Sequence, residues 1–180
     1  MTTKNILQNL DNEELWLLYA DAELELKKRD LVRTRNIVGE RGEFLAIEMY
    51  NSKPGLPKLQ AAPEGTQNVD ALSRKGERYS IKTITEPGLT TGVFYGMGEK
   101  DDTISPDKKF EYVIIVQIFR NYRPKKILEL NFEQFLKHKK WHSTMRAWNL
   151  RITKDLLNDA KVIFDDTKKK DENNYKIKIK

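Results

Sequence analysis

The sequence predicts an α/β protein in which a central mixed sheet is flanked by helices, an α/β sandwich. Three observations carry this prediction: a capped helical pattern near the N-terminus, a hairpin pattern in the middle, and a buried strand pattern at residues 112–119. That last segment is almost continuously apolar, as is typical of a strand covered on both faces. Helical patterns on both sides of the strands in the chain indicate layers of helix and sheet around one core.

Helical patterns occupy the first fifty residues. Asp11 and Glu14 have the spacing of a capping box, and leucines at helical spacing then predict a helix over about residues 12–31. Two pairs of opposite charge four residues apart support it, Glu23 with Lys27 and Glu25 with Arg29. A second cluster of apolar residues predicts a helix from near Gly39 to Asn51.

Strand patterns follow. Residues 68–73 and 78–85 flank a turn and predict a hairpin whose second arm is rich in β-branched and aromatic residues. Residues 112–119 and 125–130 predict two more strands that pair across a short turn.

Two helices complete the predicted order α-α-β-β-β-β-α-α. The first begins at Asn131, and the second is capped by Thr153. The second helix has one apolar stripe, made of Leu156, Leu157, Ala160, Ile163 and Phe164.

Glycine and proline mark the middle of the chain as rich in loops. All nine glycines lie between Gly39 and Gly98, and five of the six prolines lie between Pro54 and Pro106. Two long loops are expected, at residues 52–68 and 86–108, and loops of that length are often functional. We expect a single domain over residues 1–165, with an N-terminal helical segment at 12–38 and a basic, flexible tail at 166–180.

Composition excludes several classes of protein. The 180 residues include no cysteine, which excludes a disulfide scaffold, a cysteine-ligated zinc site and a thiol nucleophile. No apolar run approaches the roughly 18 residues of a membrane span, and the N-terminus does not resemble a signal peptide. The sequence therefore predicts a cytoplasmic protein without a membrane partner.

The net charge of +6 is unevenly distributed. The first thirty residues hold four basic and seven acidic side chains, a net of −3, which leaves +9 for the rest. Five cations and no acid lie in residues 137–151, interleaved with Trp141 and Trp148. This pattern favours a nucleic-acid surface, with cations for phosphates and an aromatic ring for packing. The alternative is that Trp148, which alternates with Leu150 and Ile152 as in a strand, belongs to the core.

A lysine lies in the interior of the predicted strand 78–85. Alternation places Ser80 and Lys82 on one face of the strand and Ile81 on the other. An ammonium group between apolar neighbours needs an anion, and the nearest candidate is Asp70 on the first arm of the hairpin. The alternative is a simple salt bridge between the two strands.

These residues resemble the motif of the PD-(D/E)xK nuclease superfamily, whose members have the restriction-endonuclease-like fold. The motif comprises a helix with Gly39-x-x-x-Glu43, followed by Asp70, nine residues, Ser80-x-Lys82. Residues 33–43 also resemble the Arg-Thr-x-Asn-x-x-Gly-Glu-x-x-Glu run of a bacterial subgroup. Residues 76–82 resemble the Gly-x-Arg-Tyr-Gln-Ile-Lys strand of that subgroup. The resemblance covers about residues 12–165.

The resemblance implies a Mg²⁺-dependent endonuclease that hydrolyses double-stranded DNA, of the type II restriction enzyme kind. It implies a homodimer, with a cognate DNA methyltransferase in the same system. Glu43, Asp70 and the backbone carbonyl of Ile81 would hold Mg²⁺. Lys82 would orient the attacking water and stabilise charge on the phosphate.

One position departs from the superfamily. Ser80 stands where a carboxylate usually lies, or a glutamine in the subgroup, and a neutral hydroxyl is a poor Mg²⁺ ligand. Glu40, one helical turn before Glu43, is a possible supplement. Two alternatives therefore stay open: a non-catalytic DNA-binding module on the same fold, and a protein-interaction domain of a defence system.

Eight residues are predicted to contact nucleic acid through phosphates or stacking, namely Arg33, Arg35, Asn36, Arg41, Lys139, Lys140, Trp141 and Arg146. His138 and His142 also have the spacing of metal-binding histidines on a helix. Because no third ligand lies nearby in the sequence, the alternative is that they are exposed or stacking histidines.

Overall fold

The computed structural model describes residues 3–32, 37–63, 65–101, 107–119 and 122–167. The chain begins with three helices, α1 (Thr3–Gln8), α2 (Asn12–Lys28) and α3 (Ile37–Ser52). Five strands follow, β1 (Leu59–Ala61), β2 (Ala71–Ser73), β3 (Arg78–Thr85), β4 (Tyr112–Ile118) and β5 (Pro124–Asn131). The remaining elements are α4 (Phe132–His138), β6 (Lys139–His142), β7 (Ala147–Leu150), α5 (Lys154–Asp159) and β8 (Lys161–Asp165).

Six of the strands form one mixed sheet in the order β1-β2-β3-β4-β5-β8. Strands β3 and β4 are parallel, in register from Tyr79↔Tyr112 to Thr85↔Ile118, and every other neighbouring pair is antiparallel. Strands β6 and β7 form a separate antiparallel pair. The predicted α/β class and the central mixed sheet are confirmed.

Helices cover both faces of this sheet. On one face, Tyr79 and Ile81 pack against Leu45, Ala46 and Tyr50 of α3. On the other face, the apolar residues of the sheet pack against α4 and α5, chiefly through Phe132, Phe135 and Leu156. Residues 113–116 of β4 are fully buried, as the apolar run predicts. The core therefore consists of two layers separated by the sheet.

The N-terminal elements follow local sequence chemistry. The capping box of α2 is present, since Asp11 and Glu14 exchange hydrogen bonds of 2.9 Å between side chain and backbone. Both predicted charge pairs form, Glu23 with Lys27 at 2.9 Å and Glu25 with Arg29 at 2.6 Å. Helix α3 is the predicted second helix, extended by two residues at its start and one at its end.

The predicted strand count was wrong, because the described residues hold eight strands rather than four. Strand β1 lies inside the predicted loop 52–68, and residues 139–150 form the β6–β7 hairpin. Helix α5 ends at Asp159, where Ala160 takes an extended backbone conformation. Ile163 and Phe164 therefore belong to β8, which pairs with β5 at the sheet edge, and not to a helical stripe. A branched and aromatic segment favours a strand once an open edge is available.

Among the residues that the structure describes, every helix is too short or too polar to span a lipid bilayer. Beyond Thr167, the predicted tail lies outside the described residues.

Candidate active site

Asp70 immediately precedes β2, and its carboxylate is held against the middle of β3. Its backbone N–H donates to the carbonyl of Tyr79 at 2.8 Å. Its Oδ2 accepts the backbone N–H of Ile81 at 2.6 Å and the hydroxyl of Ser80 at 3.3 Å. Among the described residues, Oδ1 accepts no hydrogen bond. The carboxylate is thus fixed in orientation by one oxygen while the other is available to a ligand.

Ser80 lies at the position where the resemblance leads one to expect a metal-binding carboxylate. It is fully buried, with 0% of its surface exposed. A buried hydroxyl needs a partner, and that of Ser80 donates to Asp70. Ser80 therefore orients the carboxylate of Asp70 through this hydrogen bond. It does not supply the negative charge of the acid that usually lies at this position.

The backbone of Ile81 lies at an open edge of β3. The register between β2 and β3 ends at Ala71↔Tyr79, so no described strand pairs with Ile81 on this side. The N–H and C=O of a strand residue point to the same edge, because paired residues exchange both bonds. Since the N–H of Ile81 meets Asp70, its carbonyl oxygen points to the same edge. The structure thus brings together two of the predicted oxygen ligands.

Lys82 is partly buried on the same face of β3 as Ser80. Its Nζ lies 5.2 Å from the ring centroid of Phe94, which is fully buried. No carboxylate of the described residues forms an ion pair with Lys82, so the alternative of a simple salt bridge with Asp70 is wrong. An aromatic face stabilises a cation without neutralising it. The ammonium therefore keeps its capacity to bind an anion from solution.

Glu43 is brought to β3 by α3. The preceding residue, Gly42, packs directly on the side chain of Thr83, next to Lys82 in the strand. Glu43 itself is partly buried. Two residues earlier, Arg41 donates from Nε to the carbonyl of Tyr122 at 3.2 Å and lies 5.6 Å from the ring of Phe44.

The oxygen donors at the edge of β3 fit a magnesium ion chemically. Magnesium is bound in proteins by one or two carboxylates, and waters and substrate phosphates complete its shell. Asp70 Oδ1 and the carbonyl of Ile81 supply hard oxygens of this kind. Within the described ranges, no group of three or more His, Cys, Asp or Glu side chains gathers as a metal site.

Four of the predicted nucleic-acid contacts meet on the β6–β7 hairpin. Lys139 places its Nζ 3.9 Å from the ring centroid of Trp148, and Trp141 packs edge-on against the same ring at 5.1 Å. Lys140 and Arg146 are exposed, and Arg146 lies 3.2 Å from Glu99. Three other predicted contacts, Arg33, Arg35 and Asn36, lie outside the described residues.

The interpretation of His138 and His142 as a helical metal pair was wrong. Helix α4 ends at His138, and His142 lies on β6. His138 is buried with its Nε2 2.6 Å from Oδ2 of Asp159, which Lys137 also contacts at 2.6 Å. These hydrogen bonds from Lys137 and His138 lower the pKa of Asp159. The group ties α4 to α5 and is structural.

Sequence reasoning missed a connection between Lys82 and the hairpin. Phe94 exchanges backbone hydrogen bonds with Trp148, donating at 2.7 Å and accepting at 3.4 Å. The indole N–H of Trp148 donates to the carbonyl of Gly98 at 2.9 Å, and Met97 is buried. Residues 94–98 are therefore anchored to Trp148 of the β6–β7 hairpin, and we call them the anchored segment. The sequence signal for this segment was the succession of aromatic and large apolar residues between the glycines.

No family model matches this chain, and no curated protein is significantly similar to it in sequence. Function is therefore inferred from the geometry around Asp70, Ile81 and Lys82.

Proposed function

We propose that this protein is a Mg²⁺-dependent endonuclease that hydrolyses double-stranded DNA and has a restriction-endonuclease-like fold. The observation that supports this most is the fixed carboxylate of Asp70 at the open edge of β3, beside the carbonyl of Ile81 and one residue from Lys82. The helix–hairpin–strand order of Glu43, Asp70 and Lys82 also agrees with the motif of that superfamily.

In this proposal Asp70 and the carbonyl of Ile81 hold the ion, and Glu43 contributes from α3. Held there, Mg²⁺ would supply Lewis acidity for water and would neutralise charge on phosphate oxygens. Ser80 keeps Asp70 in one orientation through its hydroxyl. Lys82, with its charge uncompensated by any described carboxylate, binds the scissile phosphate and orients the attacking water.

The DNA backbone would lie across the basic hairpin next to the site. Exposed Lys140 and Arg146 are suited to phosphates, and such contacts make binding weaken as salt rises. The ion pair of Arg146 with Glu99 should hinder phosphate binding only slightly, because both side chains are largely exposed and exposed ion pairs are weak. We further propose a homodimer that acts alongside a DNA methyltransferase, as the resemblance implies. A cytoplasmic location is proposed from the composition of the chain.

The test is cleavage of plasmid and phage DNA by purified protein, with Mg²⁺ or with EDTA. Asp70→Asn and Lys82→Ala should abolish cleavage, each with a circular dichroism spectrum like that of the wild type. Lys75→Ala is a matched control, because Lys75 is an exposed lysine in the turn of the same hairpin. If Lys82→Ala cuts as fast as Lys75→Ala, the proposed site is wrong.

A non-catalytic DNA-binding module is the second candidate. It is favoured by Ser80, whose buried hydroxyl lies at the usual position of an acid and donates its hydrogen bond to Asp70. Calorimetric titration with Mg²⁺ separates the two. No heat of Mg²⁺ binding, together with DNA affinity that falls with salt, would support the module over the nuclease.

A further inference from the structure

Tyr95 lies in the anchored segment, residues 94–98, and presents an exposed aromatic ring. Its side chain is 44% exposed, whereas the preceding residue, Phe94, is fully buried. The two rings therefore lie in different environments. Phe94 lies in the core beneath Lys82, whereas Tyr95 is in contact with water. Among the residues whose burial is described, only one other aromatic side chain, Tyr122 at 40%, is exposed to this degree.

The backbone that carries Tyr95 is fixed on both sides. Its carbonyl accepts the side-chain amide of Asn68 at 2.7 Å. One residue earlier, Phe94 is bonded to Trp148 in both directions. One residue later, Gly96 has a φ of +67°, which lets the chain turn without strain. The ring is thus displayed by a rigid segment, and ordering it on a ligand costs little backbone entropy.

Tyr95 lies in a segment whose neighbouring residues contact both parts of the proposed site, while its own carbonyl binds Asn68. Asn68 lies two residues before Asp70, and Phe94 lies beneath Lys82. In the other direction, Gly98 is bonded to Trp148, over which Lys139 lies. The exposed ring of Tyr95 therefore belongs to a segment that contacts Lys82 through Phe94 and the basic hairpin through Gly98.

We propose that Tyr95 is a stacking platform for an unpaired base of the nucleic acid, next to the phosphate held by Lys82. Every base has an apolar face that stacks on an aromatic side chain, and cations alongside hold the backbone. Inside an intact duplex both faces of a base are covered by its neighbours, so Tyr95 stacks only on a nucleotide that is out of the stack. The substrate class is DNA with a locally unpaired nucleotide beside the scissile bond. The position of the phosphate rests on the proposed function; the stacking surface does not.

The experiment measures fluorescence anisotropy with two labelled DNAs in EDTA, so that no strand is cut. One DNA is a fully paired duplex, and the other has the same sequence with a short unpaired bubble. The wild type should bind the bubble roughly tenfold more tightly, as expected for one stacked base. Tyr95→Ala and Tyr95→Leu should lose this preference, and Tyr95→Phe should keep it. Tyr122→Ala, which removes the other exposed tyrosine, should keep it too.

The outcomes separate this inference from the proposed function. Loss of the preference in Tyr95→Ala, in a protein that cuts no DNA with Mg²⁺, supports the stacking platform and overturns the nuclease. If the wild type cuts DNA, and if wild type and Tyr95→Ala bind the bubble with equal affinity, the stacking platform alone is overturned. Equal binding of both DNAs by the wild type, binding of neither, or loss of the preference in Tyr122→Ala also overturns the platform.

Discussion

Gly42 of α3 lies directly against the side chain of Thr83 in β3. A Cβ built at Gly42 would stand 1.8 Å from Oγ1 of Thr83 and 2.8 Å from its Cβ. The helix therefore crosses this strand with no side chain of its own in between. Thr83 and Lys82 alternate on β3, so this contact is made on the face opposite to Lys82. Gly42 therefore sets the distance between α3, which carries Glu43, and β3, which carries Lys82.

Gly42→Ala should therefore destabilise the protein and displace α3 from β3. The added methyl overlaps a side chain in a packed layer, and overpacking of this kind costs about 1–3 kcal/mol. The fall in the free energy of unfolding is measured by urea denaturation. If Gly42→Ala is as stable as wild type, α3 and β3 are not in contact here.

Gly92→Ala is the matched control for that substitution. Among the described residues other than its two chain neighbours, none has an atom within 4 Å of a Cβ built at Gly92. Its stability should stay within about 0.5 kcal/mol of the wild type. The double variant Gly42→Ala with Thr83→Ala should recover part of the loss, because the Oγ1 and the methyl group of Thr83 are removed together.

Asp70 should show separate structural and catalytic contributions. Asp70→Asn keeps a side-chain oxygen for the backbone N–H of Ile81, so stability should change by less than about 1 kcal/mol. Asp70→Ala leaves that N–H without its acceptor and should cost about 1–3 kcal/mol. Both variants should lose cleavage, since neither has a carboxylate. Urea denaturation and plasmid cleavage check the two effects, and cleavage by Asp70→Asn would contradict the metal role.

Features determined by neighbouring residues in the chain were predictable from the sequence. The capping box of Asp11 and Glu14 and the hairpin of β2 and β3 depend on spacing and turn chemistry alone. The proximity of Asp70 to Ser80 follows from the same hairpin. These parts of the fold were therefore correctly predicted, whereas the hydrogen bond from Ser80 to Asp70 was not foreseen.

Features that depend on residues distant in the chain could not be predicted from the sequence. Residues 161–165 form a strand because they pair with the open edge of β5. Strand β5 lies 30 residues or more earlier in the chain, so local sequence does not reveal this pairing. Phe94 lies under Lys82 because Trp148 holds its backbone, and no periodicity in a glycine-rich loop predicts that pairing. Likewise Asp159, which binds His138, comes from a different helix.

Arg78 and Glu111 should make stability depend on pH in the acid range. Both oxygens of Glu111 bind Arg78, at 2.8 Å to Nη2 and 2.7 Å to the backbone N–H. The side-chain hydrogen bonds from Arg78 hold the pKa of Glu111 below its usual value. The stabilisation is therefore complete above the unfolded pKa of about 4.3, and is lost as pH falls through the lower folded pKa.

Glu111→Gln should flatten this acid limb of the stability profile. At pH 7 it should cost about 1 kcal/mol, a modest amount because the pair is partly exposed and screened by water. Urea denaturation between pH 7 and pH 3 measures both effects. Glu133→Gln, at an exposed position of α4, is the control and should keep the slope of the wild type. An unchanged slope in Glu111→Gln would exclude Glu111 as its source.

Tyr50 should be needed to keep the buried carboxylate of Glu129 in the core. Its hydroxyl donates to Glu129, which is only 8% exposed and also binds Lys161 at 3.1 Å. Burial, followed by the negative charge of Glu129, raises the pKa of Tyr50, so the hydroxyl stays protonated and able to donate. Tyr50→Phe removes this donor while Glu129 stays buried, and should cost about 1–3 kcal/mol in urea denaturation. Tyr95→Phe, which removes an exposed hydroxyl, should cost less than about 0.5 kcal/mol. Equal stability of the two variants would mean that Lys161 and water satisfy Glu129 without Tyr50.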